Sequence, residues 1–141
     1  GPAGQADMVL TFRNVHNWIG DNSAPAMFKA FYTALRPGGV LGVVDHRAAD
    51  GAKLEDIKES GYLPTPFVIK LATDAGFKLE AQSEVNANPK DTKDYPKGVW
   101  TLPPTLTLGE QDKAKYLAIG ESDRMTLRFV KPEATAQTAA H

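Results

Sequence analysis

Two short stretches of this chain concentrate the side chains able to do chemistry: Arg13, Asn14, His16, Asn17 and Trp18 in the first, Asp45, His46 and Arg47 in the second. An imidazole with an unperturbed pKa of about 6.5 accepts a proton near neutral pH, so His16 and His46 are the candidate bases. Their alternatives are structural: His16 bonds backbone at a strand end, and His46 is held by Asp45 or Arg47. Asn14 can both donate and accept through one amide. Arg13 either anchors a loop by pairing a carboxylate or meets a ligand, and Trp18 either packs or floors a binding site. Farther along, Tyr62 precedes a helix and either caps a pocket or anchors a loop. Trp100, with Pro103 and Pro104, belongs to a long connection that either folds over a site or packs as a flap. A metal site would need His16 and His46 together with Asp45. No ligand pair has the i, i+4 spacing that makes such geometry automatic, so we expect no metal. The absence of cysteine excludes disulfides, thiolate metal centres and a cysteine nucleophile.

The elements that must position these groups read as strands alternating with helices. Residues 7–13 and 40–45 are short apolar runs of the kind buried between helical layers. Between them, Ser23 is placed to cap a helix with Pro25 in its first turn, and Met27, Phe28, Phe31, Tyr32 and Leu35 recur at helical spacing. Arg36-Pro37-Gly38-Gly39 ends that helix, giving a β-α-β unit with parallel strands. Thr65 and Pro66 announce a second helix with Val68, Ile69, Ala72 and Ala75 on one face and Gly76 as its stop. Phe77, Leu79 and Ala81 then alternate as a strand, residues 86–98 form a polar loop, residues 110–119 form a short helix, and residues 125–130 form the last strand. This is an open α/β sheet. Ligands of such sheets sit beyond the carboxyl ends of the strands, so the two reactive stretches emerge on one rim. Four strands and about three helices are few for the class, and the chain reads as half of a domain.

The 141 residues carry 16 Lys+Arg against 17 Asp+Glu, with a net charge of -1 and no basic run of five or more. That removes the usual signature of nucleic-acid or membrane-surface binding. No stretch approaches the roughly 18 apolar residues of a membrane span, and the N-terminus lacks the pattern of a signal peptide. A cytoplasmic location is the default, with an export signal upstream of Gly1 left open. Residues 1–6 read as a leader or tag scar, 7–131 as the folded part, and 132–141, ending in His141, as a disordered tail.

Residues 6–18, the helix that follows, and Leu35-Arg36-Pro37-Gly38-Gly39 leading into residues 40–46 resemble the second half of class I S-adenosylmethionine-dependent methyltransferases. Phe12-Arg13-Asn14-Val15 is similar to the strand-four motif of the ubiquinone/menaquinone C-methyltransferases. The longer string through Trp18 looks like a bacterial group of predicted methyltransferases. The likeness covers residues 6–47 and is one of topology over 65–131. It implies an incomplete Rossmann-like methyltransferase sheet, strands four to seven of the order 3-2-1-4-5-7-6, with the last strand antiparallel. The family's glycine-rich cofactor loop and ribose-binding acid lie upstream of the match and are absent.

The resemblance thus implies the C-terminal part of an S-adenosylmethionine-dependent enzyme acting on a small molecule, a part that does not bind the cofactor tightly alone. Within it, His16 and His46 would be catalytic, Arg13 and Asn14 would lie on the cofactor side, and Asn17, Trp18, Tyr62 and Trp100 on the acceptor side. Because residues 8–12 would lack a neighbouring strand, a homo-oligomer or a complex with a missing N-terminal portion is expected. Two other readings are a non-catalytic α/β module that assembles through protein contacts and a fragment of a nicotinamide-dependent oxidoreductase. An upstream glycine-rich strand-loop segment would favour an enzyme over the module.

Overall fold

In the computed structural model, which describes residues 3–20, 22–57 and 59–133, the strands are β1 (Ala6–Phe12), β2 (Leu35–His46), β3 (Lys78–Ser83) and β4 (Arg124–Val130). They form one four-stranded sheet in the order β1-β2-β4-β3. β1 runs parallel to β2, whereas β4 is antiparallel to both of its neighbours. β1, β2 and β3 therefore end at one rim, and β4 begins there. This is the expected arrangement, reversed last strand included.

The helices are α1 (Val15–Gly20), α2 (Ala24–Ala34), α3 (Leu54–Ile57), α4 (Thr65–Asp74) and α5 (Lys113–Ile119). In α2 the apolar spacing buries Phe28 completely, which contributes roughly 1.5–3 kcal/mol. Gly38, early in β2, has a φ of +82° that suits glycine, and its N–H donates to the Lys131 carbonyl at 2.8 Å. Three local expectations differ. Ser23 makes no side-chain cap; its backbone N–H instead donates to the Trp18 carbonyl at 2.8 Å, closing the turn between α1 and α2. Thr65 is the first residue of α4 and Pro64 the cap position. β2 starts at Leu35, because Ala6 pairs with Leu35 before the register slips to Met8 opposite Val40. α1 was unexpected: its six residues are too few to show a period.

Leu41 and Val43 of β2 and Met125, Leu127 and Phe129 of β4 pack against Val15, Ile19, Phe28, Val68 and Ala72. That covers one face of the sheet. The layer expected on the other face is not found among the described residues. Met8, Leu10 and Phe12 are each more than half exposed, and with Val40, Val44 and Ala81 they line an apolar trough of about 450 Å³ to which no helix contributes. β1 is also an edge strand. At the N-terminus, Gly4 N–H donates to the Thr33 carbonyl at 2.8 Å and Ala6 already belongs to β1, so the expected leader is docked from there on. Gly1, Pro2 and the greater part of the expected tail, residues 134–141 with His141, lie outside the described residues. None of the described helices is long and apolar enough to cross a membrane.

Candidate functional site

Asp45, near the end of β2, is the centre from which the site is built. It is fully buried on the helical side of the sheet, and its two oxygens accept three N–H bonds. One accepts from the backbone of Val15, the first residue of α1, at 2.9 Å; the other accepts from His46 N at 2.8 Å and is paired with His16 Nδ1 at 3.2 Å. A buried carboxylate on one strand thus starts the short helix and orients the histidine that follows it. With Nδ1–H donating to Asp45, Nε2 is the nitrogen of His16 free to accept another proton.

His16 opens into a polar cleft of about 270 Å³ at the rim. Its lining combines the polar Arg13, Asn14, His16, His46, Ser122 and Arg124 with the apolar Val99, Trp100, Pro103 and Pro104. Trp100 is 37% exposed and meets His16 edge-on at 5.9 Å between ring centroids. The His46 ring lies 5.4 Å from that of His16, and its Nδ1 is hydrogen-bonded to Ser122 Oγ. Burial, the main cause, lowers the His46 pKa to about 4; Asp45 opposes the change while His16, Arg124 and Arg13 add to it. His46 is therefore neutral at pH 7.

Charge at the cleft is uneven. Arg124 Nη2 and Arg13 Nη1 both approach the same oxygen of Glu121, at 2.9 and 3.9 Å. The hydrogen bond from Arg124 is the main cause of the lowered Glu121 pKa. Arg124 Nε is buried without a hydrogen-bond partner. Arg13 holds a left-handed backbone, with φ of 58°, at the tip of β1 while its N–H donates to Val44 O at 2.7 Å.

Of the residues singled out in the sequence, Arg13, Asn14, His16, His46 and Trp100 meet in this cleft. Asn17 is exposed on α1 outside it. Trp18 packs against Phe31 with ring centroids 5.6 Å apart, on the core side. Tyr62 is 2% exposed and stands edge-on to His46, so it does not cap the cleft; its hydroxyl donates to Asp91, 2.9 Å from either carboxylate oxygen. Burial, and then Asp91, push the Tyr62 pKa upward. Ser122, Arg124 and the anchoring role of Asp45 were missed. A reversed last strand brings the residues at its start to the rim, and that was the available signal for Ser122 and Arg124.

The segment carrying Trp100 is pinned at its base. Asp123 takes two bonds from Arg47, at 2.9 and 3.0 Å, one from Lys93 at 2.9 Å and one from Asn88 N at 2.7 Å. Burial alone would raise the Asp123 pKa, but these bonds outweigh it and hold the carboxyl at about 2. Asp91 accepts from Asp123 N at 2.8 Å as well as from Tyr62.

His16, Asp45 and His46 place ligand-type atoms within 4.8 Å of one another. Asp45 already accepts from three N–H groups, and Arg13 and Arg124 add positive charge to the same cleft, so the electrostatics disfavour a cation there.

No protein-family model and no curated protein sequence matches the chain. Solved structures do. The chain is similar to the cyclase SpnF (TM-score 0.56, 16% identity, 95% of this chain and 52% of that one). It is also similar to an S-adenosylmethionine-dependent methyltransferase of Methanosarcina mazei (0.58, 10%, 93% and 61%). A third likeness is to phosphoethanolamine N-methyltransferase 2 of Haemonchus contortus, solved with phosphomonomethylethanolamine and S-adenosylhomocysteine (0.51, 18%, 93% and 34%). The fold is that of the Rossmann-like methyltransferases, and the chain spans between about a third and three fifths of the length of these structures.

Proposed function

We propose that this chain is the acceptor-binding, C-terminal part of an S-adenosylmethionine-dependent methyltransferase for a small molecule. The observation that carries the reading is the His16–Asp45 pair opening into a small cleft at the carboxyl ends of β1 and β2, where ligands of this fold class sit. Its volume of about 270 Å³ lies at the small end of ligand clefts, which suits a small acceptor. No carboxylate lines it to hold a ribose, so this chain contributes to the cofactor site at most through rim residues such as Asn14. When bound, the cofactor supplies an electrophilic methyl group on a sulfonium. His16 Nε2 takes the proton of the acceptor, Asp45 stabilises the imidazolium through Nδ1–H, and the proton passes on to water. Neutral His46 offers a hydrogen bond without adding charge. Trp100 and the two prolines exclude water from the reacting side. The exposed edge of β1 and the apolar trough beside it would be covered by an N-terminal portion or by a second copy.

Calorimetry on this chain and on one extended at its N-terminus tests the assignment. The longer chain should bind S-adenosylmethionine in the micromolar range and this chain not below millimolar. A dissociation constant near 10 µM for this chain alone, about -7 kcal/mol, would overturn the division of labour. In the longer chain, His16→Ala should lower turnover roughly 100-fold with cofactor affinity nearly unchanged.

A further inference from the structure

The cleft is lined by two arginines and by no acidic residue. Two guanidinium groups, Arg13 and Arg124, share a single carboxylate oxygen of Glu121, and Arg13 reaches it only at 3.9 Å. Glu121 itself does not line the cleft, nor does any other acid. Arg124 stands directly across the strand pair from His46, and its Nη2 is held by Glu121 at 2.9 Å. Its Nε has been taken out of water with nothing to donate to. A buried donor left unpaired is costly, and a group that supplies an acceptor there gains what the free protein lacks. Val99, Trp100 and Pro103 give the same cleft an apolar part.

We propose that this cleft holds its acceptor by an anionic anchor: a small flat molecule whose ionised oxygen, a different atom from the one whose proton His16 takes, lies on the cleft side of Arg124 and Arg13, away from Glu121, and whose apolar body lies against Trp100. Phenols, enols and carboxylic acids share this chemistry, and amines and neutral alcohols do not. Arg124 is the anchor through its unpaired Nε, with a small rotation of its side chain. Arg13, at the tip of β1, closes over the exposed side. The word acceptor rests on the methyl-transfer reading; the preference for an anion does not.

The test is a titration of the full chain with benzoate and with benzamide, its neutral counterpart of the same shape, followed through two-dimensional amide and indole N–H spectra. Benzoate should saturate, shift the signals of Arg13, Asn14, Arg124 and the Trp100 indole, and bind at least tenfold more tightly than benzamide. Arg124→Gln should weaken benzoate roughly tenfold or more, as expected for a charge-assisted bond, and Arg124→Lys should fall between. Equal affinity for the two probes, no saturable binding of benzoate, or shifts confined to another part of the molecule would overturn the proposal. The comparison of probes on the unaltered chain decides even where a variant fails to fold. Since no S-adenosylmethionine is present, a failure here leaves methyl transfer standing, while failure of the longer chain to bind S-adenosylmethionine would sink the transfer reading and leave the anion preference untouched.

Discussion

Replacing Asp45 by asparagine exchanges one charged oxygen for an NH2 group and moves hardly any volume. The wild-type carboxylate receives N–H groups from Val15, His46 and His16 in a place with no solvent access. The asparagine keeps most by putting its oxygen where two of these donors converge, which turns its NH2 toward the Val15 N–H. Two buried donors then face each other. The Val15 bond to a charged group is lost, the two others weaken to neutral strength, and an unsatisfied buried N–H costs about 1–3 kcal/mol. The expected loss is about 2–4 kcal/mol, a large share of the 5–15 kcal/mol typical of a whole domain. Urea unfolding at constant m-value measures it. Amide exchange adds a local readout: the Val15 amide should lose protection before those of Leu41 and Val43 in the middle of β2. A loss below about 0.5 kcal/mol with Val15 still protected would refute the claim that Asp45 starts α1 and orients His16.

Three further outcomes follow from the same geometry. His46 has a folded pKa of about 4 against an ordinary value of 6.5, so the unfolded chain binds the extra proton first as pH falls. Its contribution, about 3 kcal/mol, is complete above pH 6.5 and lost as the pH drops toward 4; urea midpoints across that range should fall in the wild type and flatten in His46→Gln. Tyr62→Phe removes the donor to Asp91 and should cost about 1–3 kcal/mol, with faster amide exchange at Lys93 and Asp123, whose N–H groups share that carboxylate. Leu10 is 55% exposed on the edge strand β1, so light scattering at 100 µM should give a mass above that of one chain, and Leu10→Lys should shift it toward the monomer; a monomeric wild type would remove the case for pairing at this edge.

Long elements were legible in the sequence because each repeats its signal. The Met27, Phe28, Phe31, Tyr32 series reports a helix, and the apolar run of residues 40–45 reports a strand, before any tertiary contact is known. The site was legible in part. Arg13, Asn14, His16 and His46 follow strand ends, and topology alone sends them to a common rim. What could not be read is which neighbours turn toward each other across the fold. Asn17 and Trp18 stand beside His16 in sequence, yet on a helix they leave at other angles, and Trp18 goes to Phe31. Tyr62 carries a polar tip on an apolar body, and burial beside Asp91 satisfies both parts. Ser122 and Arg124 have no local signature at all; they reach the rim because β4 runs backwards. The uncovered trough was foreseeable from the topology that the resemblance implies, which leaves residues 8–12 without a neighbouring strand and part of their covering helices; the residues alone do not show it, since an apolar strand reads the same whichever layer lies over it.

That reversed strand has a structural corollary. β3 arrives at the rim at Ser83 and β4 departs from it at Arg124, so everything between, including Trp100 and the prolines, is hung from adjacent points of a finished sheet. Its length and contents can change without altering a single ladder pairing. The seam is also marked, by Arg47 with Asp123 and by Tyr62 with Asp91. A graft of residues 84–123 that keeps these two pins would carry one wall of the cleft with it and leave the His16–Asp45 pair behind. Such a graft would renew the apolar part of the cleft while Arg13, Arg124 and the His16–Asp45 pair stay where the sheet holds them.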